Sequence, residues 1–556
     1  MERTSTTSVS DLPAAAHDAN TSQDTLRDLP PRKGLQFWSV FVALCVCLFL
    51  SALEYTAVST ALPTIVHDLH GGDFVWIGSA YALAATAFLP AIGGLAEVFG
   101  RRTSMLISQA IFVLGSALCG AATNMSWLIA ARAIQGAGSS GLLAVTNIII
   151  SDLVPLSERA MYTALVSLTW GIAAAVGPVV GGAFAQHGQW RWLFYMNLPI
   201  TGVAIVLVAV FLKLPTPGGS FTDKLGRMDW IGNFLIIAAS SSCVIGLTWA
   251  GVEYSWTSTQ VLVPLIVGLV GIVGFFVYEA TLAKEPLVPF TLISNRTVLS
   301  GYIQTFICYL VSMTTIYFLP VYYQTCLNAS PTLSGMELFG LVIPLLPALI
   351  LTAIAIKTTG SYRVPLWIAW VLGVAGLGVM SIIKADSPAS LSIGLPILLG
   401  VSCGILSTAT YFPVLAPLPV TENAHALSLL AFFRSFAGVW GITIGTAVLQ
   451  TQLTKRLPSD FIAQVPGGVS LAFSLIPVVP TLSEPFRDEV KVAFAESLAT
   501  IWQVTAGIGA IGLFASLAME GLPLTSEVDS KWALDKAVRV QAAAKCDDVE
   551  RVAGKQ

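Results

Sequence analysis

The feature that most constrains this chain is the recurrence of nearly uncharged apolar stretches, each about 20 residues long, over most of its 556 residues. A bilayer core about 30 Å thick is crossed by ~20 residues of helix. Inside lipid the backbone must satisfy its own hydrogen bonds, so continuous apolar runs of this length are read as transmembrane helices. Fourteen spans are expected, near 37–62, 75–96, 104–123, 127–150, 160–184, 191–213, 229–250, 260–280, 298–320, 333–356, 364–383, 391–413, 426–449 and 497–519. An even count puts both termini on one side.

Composition closes off the alternatives. With 55% hydrophobic and 11% charged residues, no water-soluble fold of this size covers its apolar surface. A net charge of −3 without a long basic run gives no sign of a nucleic-acid partner. Charge placement is more telling than charge total. Arg32, Lys33, Arg101, Arg102, Arg159, Lys213, Lys224, Arg227, Lys284, Arg296, Lys357 and Arg363 all fall on the side shared with the N-terminus, whereas the opposite short loops carry little beyond Arg191 and Lys384. Cations concentrate on the cytoplasmic face, so both termini are expected there. The first ~34 residues lack the apolar core and cleavage site of a signal peptide, and the first span is expected to direct insertion. Six of the eight cysteines sit in apolar runs and read as buried thiols rather than disulfides or zinc ligands. The proline-bearing stretch 450–496 reads as an outside loop leading amphipathically into the last span, and the charged tail after Leu522 as solvated.

Four segments carry chemistry. Gly93-Gly94-Leu95-Ala96-Glu97-Val98-Phe99-Gly100-Arg101-Arg102 is a tight turn that brings an acid and two guanidinium groups to the membrane face. Alone it would suit a positive-inside anchor, or a latch that holds one conformation shut. A related glycine-plus-cation turn, from Lys357 through Gly360 to Arg363, hints at an internal repeat. Arg132, in Arg132-Ala133-Ile134-Gln135-Gly136, is a cation inside an apolar span, costly unless it faces a partner or a cavity. Gly171 to Gly182 combines small residues, Pro178, and Gly177 and Gly181 at the spacing that lets helices approach. Glu54 is an acid inside the first span, where the charged form is disfavoured; it suits proton uptake and release, with a neutral helix contact as the alternative.

Arg434 is a second intramembrane cation, with snorkelling from near the cytoplasmic end of its span as the alternative, and Trp170, Tyr309, Tyr317, Trp367 and Trp440 are aromatic candidates for a cargo cavity that packing alone would also explain. Of these, Tyr317, Arg434 and Trp440 are the cavity residues chosen. Gly136-Ala137-Gly138-Ser139-Ser140-Gly141 matches a dinucleotide fingerprint literally, yet it interrupts a span where a strand would be needed, so its glycines are read as packing. No phosphate-binding loop is present to energise an ATP-driven pump. His67 and His70 with Asp68 and Asp73 are read as solvated loop residues rather than a metal site, and Asn124-Met125-Ser126 as a glycosylation pattern too near the membrane for use.

In their order, the turn after span two, the Arg-x-x-Gln-Gly of Arg132, Gln135 and Gly136, and the Gly-Pro-x-x-Gly-Gly of Gly177, Pro178, Gly181 and Gly182 resemble the signature motifs of the major facilitator superfamily. Leu53 to Pro63 looks like the first-span motif of its fourteen-span drug:proton antiporter branch, and Phe318 to Gln324 with Ser330-Pro331 and Ser334-Gly335 resembles that branch's segment after span nine. Fungal exporters of toxins and other secondary metabolites look most similar. Two positions depart from the pattern: Glu54 and Glu97 stand where Asp is usual, which keeps the charge and lengthens each arm by one methylene.

The resemblance implies an all-α integral membrane fold. Its parts would be a tail over 1–36, six-helix bundles over 37–213 and 298–520, a linker over 214–297 holding two extra spans, and a tail over 521–556. It implies proton-coupled export of a small apolar or amphipathic compound, with Glu54 and Arg132 coupling protons and Gly93, Glu97, Gly100, Arg101 and Arg102 gating. Expected partners are the small-molecule cargo, protons and the lipid bilayer, handled by a monomer without cofactor, metal or enzymatic activity. The plasma membrane is the expected location, with a vacuolar or vesicle membrane as alternative. Proton-coupled uptake, for instance of an iron chelate, and a transporter-like receptor are the rival readings.

Overall fold

Among the described residues every regular element is helical. The computed structural model describes residues 34–524, apart from 70–74, 215–217, 219, 251–253, 284–285, 290, 330, 458–478, 480–481, 483 and 485. His70, Asp73, most of the proline-bearing stretch and the tail from Lys531 onward therefore lie outside the described residues.

The first group of helices comprises α1 (Leu35–Leu69), α2 (Val75–Ala87), α3 (Leu89–Phe99), α4 (Arg101–Gly120), α5 (Met125–Leu153), α6 (Leu156–Gln186), α7 (Arg191–Tyr195) and α8 (Asn197–Phe211). A short α9 (Phe221–Gly226) leads to the pair α10 (Trp230–Trp249) and α11 (Thr259–Thr281). The second group comprises α12 (Thr291–Ser294), α13 (Arg296–Thr325), α14 (Pro331–Glu337), α15 (Phe339–Thr359), α16 (Arg363–Met380), α17 (Ala389–Gly394), α18 (Pro396–Ala409), α19 (Tyr411–Leu415), α20 (Asn423–Arg456) and α21 (Phe486–Leu517).

Twelve of these helices or joined runs are long and apolar enough to cross a membrane, and the pair α2–α3, bent by 47°, makes up to thirteen. The 31-residue α6, whose charges are confined to Glu158 and Arg159 near its start, stands where the sequence places its fifth span. The chain is thus a multi-pass membrane protein. The bend at Phe88 has a local cause. Pro90 lacks the amide that would continue the α2 ladder to the Thr86 carbonyl, so the helix breaks there. The last two long helices reach farther than their apolar cores predict. Arg456, at the end of α20, pairs with Glu496 of α21 at 3.0 Å, which fastens the charged extensions together outside the apolar zone.

Helices α1 to α8 pack mainly on one another, as do α13 to α21, and α10 pairs with α11. The α10–α11 pair touches the rest mainly through α10, which meets α2, α20 and α3, while Glu279 of α11 accepts the Val288 amide at 3.2 Å. On α11 only Val261, Gly268, Phe275 and Glu279 are buried, a seam seven residues apart at its first three members, and its remaining face is exposed. The two large groups meet where α3 lies against α20 and where α6 lies against α15.

Small residues set these approaches, since lipid gives helices no hydrophobic reason to associate and close backbone contact must supply the attraction. A side chain on Gly136 would strike the Tyr81 carbonyl of α2, one on Gly138 the Phe112 backbone of α4, and one on Gly141 the Ser108 hydroxyl. The literal dinucleotide fingerprint is therefore a packing stripe, as its place in a span predicts. Gly177 of α6 likewise abuts Thr56 of α1, while the side chain of Pro178 and the surroundings of Gly182 lie outside the described residues.

Gly115 makes the sharpest test, because a methyl there would lie 2.5 Å from the Gln135 backbone, which has nowhere to move. Gly115→Ala is expected to lower the stability of the purified protein by about 1–3 kcal/mol, read as a lower thermal midpoint. Gly78→Ala, on α2 with nothing within 4 Å, is the control expected to melt as the parent does or higher.

Candidate functional site

Glu54 lies in the middle of α1 and is fully buried, as is Arg132 of α5. Their side chains meet: Arg132 Nη1 donates to Glu54 Oε2 at 2.9 Å and to Gln135 Oε1 at 2.6 Å. Arg132 Nε donates to the Ile77 carbonyl at 3.1 Å, where α2 begins. Asn197, at the start of α8, donates to the other carboxylate oxygen of Glu54, and Gln135 turns its amide to Ser116 of α4 at 2.8 Å. Gln135 follows Arg132 by three residues and so shares its helix face. The guanidinium lies over the Tyr81 ring, 4.3 Å from its centroid, and the Tyr81 hydroxyl lies within hydrogen-bond reach of Ser139 Oγ at 2.7 Å and of the Ser51 carbonyl at 3.0 Å.

Five helices thus share one polar network, and both oxygens of its carboxylate accept hydrogen bonds, from Arg132 of α5 and Asn197 of α8. That arrangement suits the ionised acid. Protonation would remove the charge that Arg132 faces and leave its guanidinium with Gln135 and the Ile77 and Glu54 carbonyls.

The Gly93 to Arg102 segment spans the α3–α4 junction. Gly100 adopts φ +86°, a conformation that L side chains rarely adopt, and this reverses the chain within one residue. Gly360, at the end of α15, also has positive φ, but its ψ of 8° makes it a left-handed helical cap whereas Gly100 is extended at ψ 154°, so the two turns related in sequence share the glycine requirement and not the backbone conformation. Gly93 packs on α20, where an added Cβ would sit 3.0 Å from Ser428 Oγ and 3.2 Å from the Ala424 carbonyl.

The two arginines part company. Arg101 is fully buried and folds inward, Nε donating to Asp152 of α5 at 2.8 Å and Nη1 to the Ala96 carbonyl at 3.0 Å, while Glu97 stays 3.8 Å away. Arg102 donates to the Ala209 carbonyl of α8. The sequence pairs these cations with Glu97. The structure gives Arg101's short contact to Asp152, a residue unmarked in the sequence because it closes a separate span.

The cavity candidates are not drawn together by any described cavity. Tyr317 of α13 is nearly half-exposed, Trp440 of α20 is half-buried against Phe436 with ring centroids 6.3 Å apart, and Arg434 sits higher on α20. An open groove elsewhere, lined by Met336, Phe339, Ile343 and Ile397, contains none of them. Nor is Arg434 a snorkelling residue at the end of its span, since it lies about three turns into α20. Asp68 is exposed, as the solvated reading expects, but lies in the last turn of α1 and not in a loop, where it accepts the Trp190 indole at 2.8 Å and faces Arg191 at 3.9 Å.

Comparison with known proteins decides the family. The Major Facilitator Superfamily profile matches residues 44–442. The chain belongs to the Major Facilitator Superfamily. It is 38% identical over 514 residues to the efflux pump FUS6 of Gibberella fujikuroi, covering 91% of this chain and 93% of that protein. To the MFS-type efflux pump LUC4 of a Fusarium species it is 35% identical over 535 residues, covering 94% and 95%. The solved proton:xylose symporter XylE superposes with a TM-score of 0.54 at 13% identity over 89% of this chain and 98% of its own, a likeness of fold alone. A facilitator-superfamily chain is a membrane transporter of small molecules, not an enzyme, as the sequence implies.

The Arg101–Asp152 contact yields a measurable cost. Removing one partner of a buried pair strands the other charge, so Asp152→Ala is expected to lose about 3–5 kcal/mol in reversible unfolding of the purified transporter. Glu97→Gln, at a longer distance and a quarter exposed, is expected to stay within about 1 kcal/mol of the parent.

Proposed function

We propose that this transporter exports a small apolar or amphipathic organic compound in exchange for protons, with Glu54 as the group that takes up and releases the proton. The observation that carries the reading is the buried Glu54–Arg132–Asn197 assembly, an ionisable group inside a span whose partners are arranged for one protonation state. The similarity to efflux pumps over nine-tenths of the chain supports the outward direction.

On this reading α1–α8 and α13–α21 are the two bundles of 37–213 and 298–520, and the α10–α11 pair belongs to the linker 214–297. The Gly93, Glu97, Gly100, Arg101 and Arg102 segment gates the cytoplasmic end. The close contact of α3 with α20 at Gly93 corresponds to a state closed there. Proton binding at Glu54 and cargo binding then favour opposite-facing states, so each turnover exchanges one for the other. Both termini are cytoplasmic, the membrane is the plasma membrane, and the working unit is one chain.

The test compares small molecules inside and outside cells that carry the parent, a deletion, or Glu54→Gln. One compound class is expected to accumulate inside both the deletion and the Glu54→Gln cells and to vanish from the medium, with the variant inserted at parental level. In vesicles, the imposed pH gradient is expected to drive no cargo through Glu54→Gln. Unchanged proton-driven transport by that variant removes Glu54 from the coupling, and loss of a compound from the interior points to uptake instead.

A further inference from the structure

Arg434 carries a charge that the proton-coupling assembly does not use. About three turns into α20 its guanidinium is boxed by two tyrosines: Nη1 donates to Tyr411 Oη at 2.7 Å, Cζ lies 4.2 Å from the Tyr411 ring centroid, and the Tyr309 ring lies 4.9 Å away on the other helix, α13. Nη2 reaches the Ser407 carbonyl at 3.3 Å, and Nε is buried with no acceptor. Among the described residues Arg434 has no carboxylate partner, whereas Arg132 has Glu54 and Arg101 has Asp152. A cation at this depth is costly unless another charge meets it.

Its position is at the seam between the two large helix groups. Tyr411 Oη donates across the seam to Asn147 of α5 at 3.2 Å, and the next residue along, Ser435, shares a 2.5 Å hydrogen bond with Thr86 of α2. The guanidinium therefore stands where the two large helix groups touch, and a planar fork with one arm unused matches a carboxylate or sulfonate. Tyrosine faces on either side suit an aromatic or unsaturated skeleton next to that headgroup. We propose that Arg434, Tyr309 and Tyr411 form the headgroup site for an organic anion, so that the exported compound is an amphipathic acid; this rests on the export reading above for its direction. An anion that draws Arg434 away from Tyr411 also loosens the Tyr411–Asn147 bridge, which ties cargo arrival to separation of the two groups.

The test uses two probes with the same rings, 1-anilinonaphthalene-8-sulfonate and N-phenyl-1-naphthylamine, which lacks the sulfonate. Their affinities for the purified full chain follow from the concentration dependence of its thermal midpoint. The parent is expected to prefer the sulfonate by about tenfold or more. Arg434→Gln is expected to lose that preference with neutral-probe affinity unchanged, and Arg434→Lys to keep part of it. Equal affinities in the parent, which needs no variant to fold, overturn the proposal, as does a preference retained in Arg434→Gln. Proton-driven uptake of the sulfonate into inside-out vesicles separates the two readings: an intact binding preference without such uptake counts against proton-coupled export and leaves the anion site standing.

Discussion

A carboxylate and a guanidinium can be held deep in a membrane bundle only while each satisfies the other, because neither finds water there. The Glu54–Arg132 contact at 2.9 Å meets that condition, and the first helix group is built around it. Arg132 reaches α1 through Glu54 and α2 through the Ile77 carbonyl; Glu54 reaches α8 through Asn197; Gln135 reaches α4 through Ser116. The glycines of α5 complete the arrangement, since close approach of α2 and α4 is what brings those polar groups within bonding distance. Packing and polar contacts are mutually dependent here: a wider helix spacing would leave the charges bare, and without the charges the tight spacing would serve only cohesion.

The two large groups differ in how they treat charge. The first neutralises Arg132 and Arg101 with its own acids, whereas the second keeps Arg434 among tyrosines and carbonyls. The asymmetry accompanies two turns that each use a glycine at positive φ, Gly100 and Gly360.

Much of this was legible in the sequence, for physical reasons that also mark the limits. Apolar runs report helices in lipid directly, and the buried charges stand out against them, so Glu54 and Arg132 are visible as isolated residues before any contact is known. The short polar partners are not. Asn197, Ser116 and Asp152 sit near span ends or among other small residues, where such residues are common, and only the fold shows which of them faces a charge. The sequence also pairs Glu97 with its neighbouring arginines by proximity along the chain, whereas Arg101 turns inward to an acid on another helix. The cavity aromatics were the least legible, because Tyr317 and Trp440 have the same composition whether they face lipid, core or cargo.

The narrow seam on α11 has its own consequence. With Val261, Gly268 and Phe275 meeting α10 and the other faces turned outward, most positions on this helix answer to the bilayer and to nothing else in the protein. Any apolar side chain of similar bulk serves there. Apolar exchanges on that face leave the contacts of the helix groups, and with them the handling of cargo, untouched.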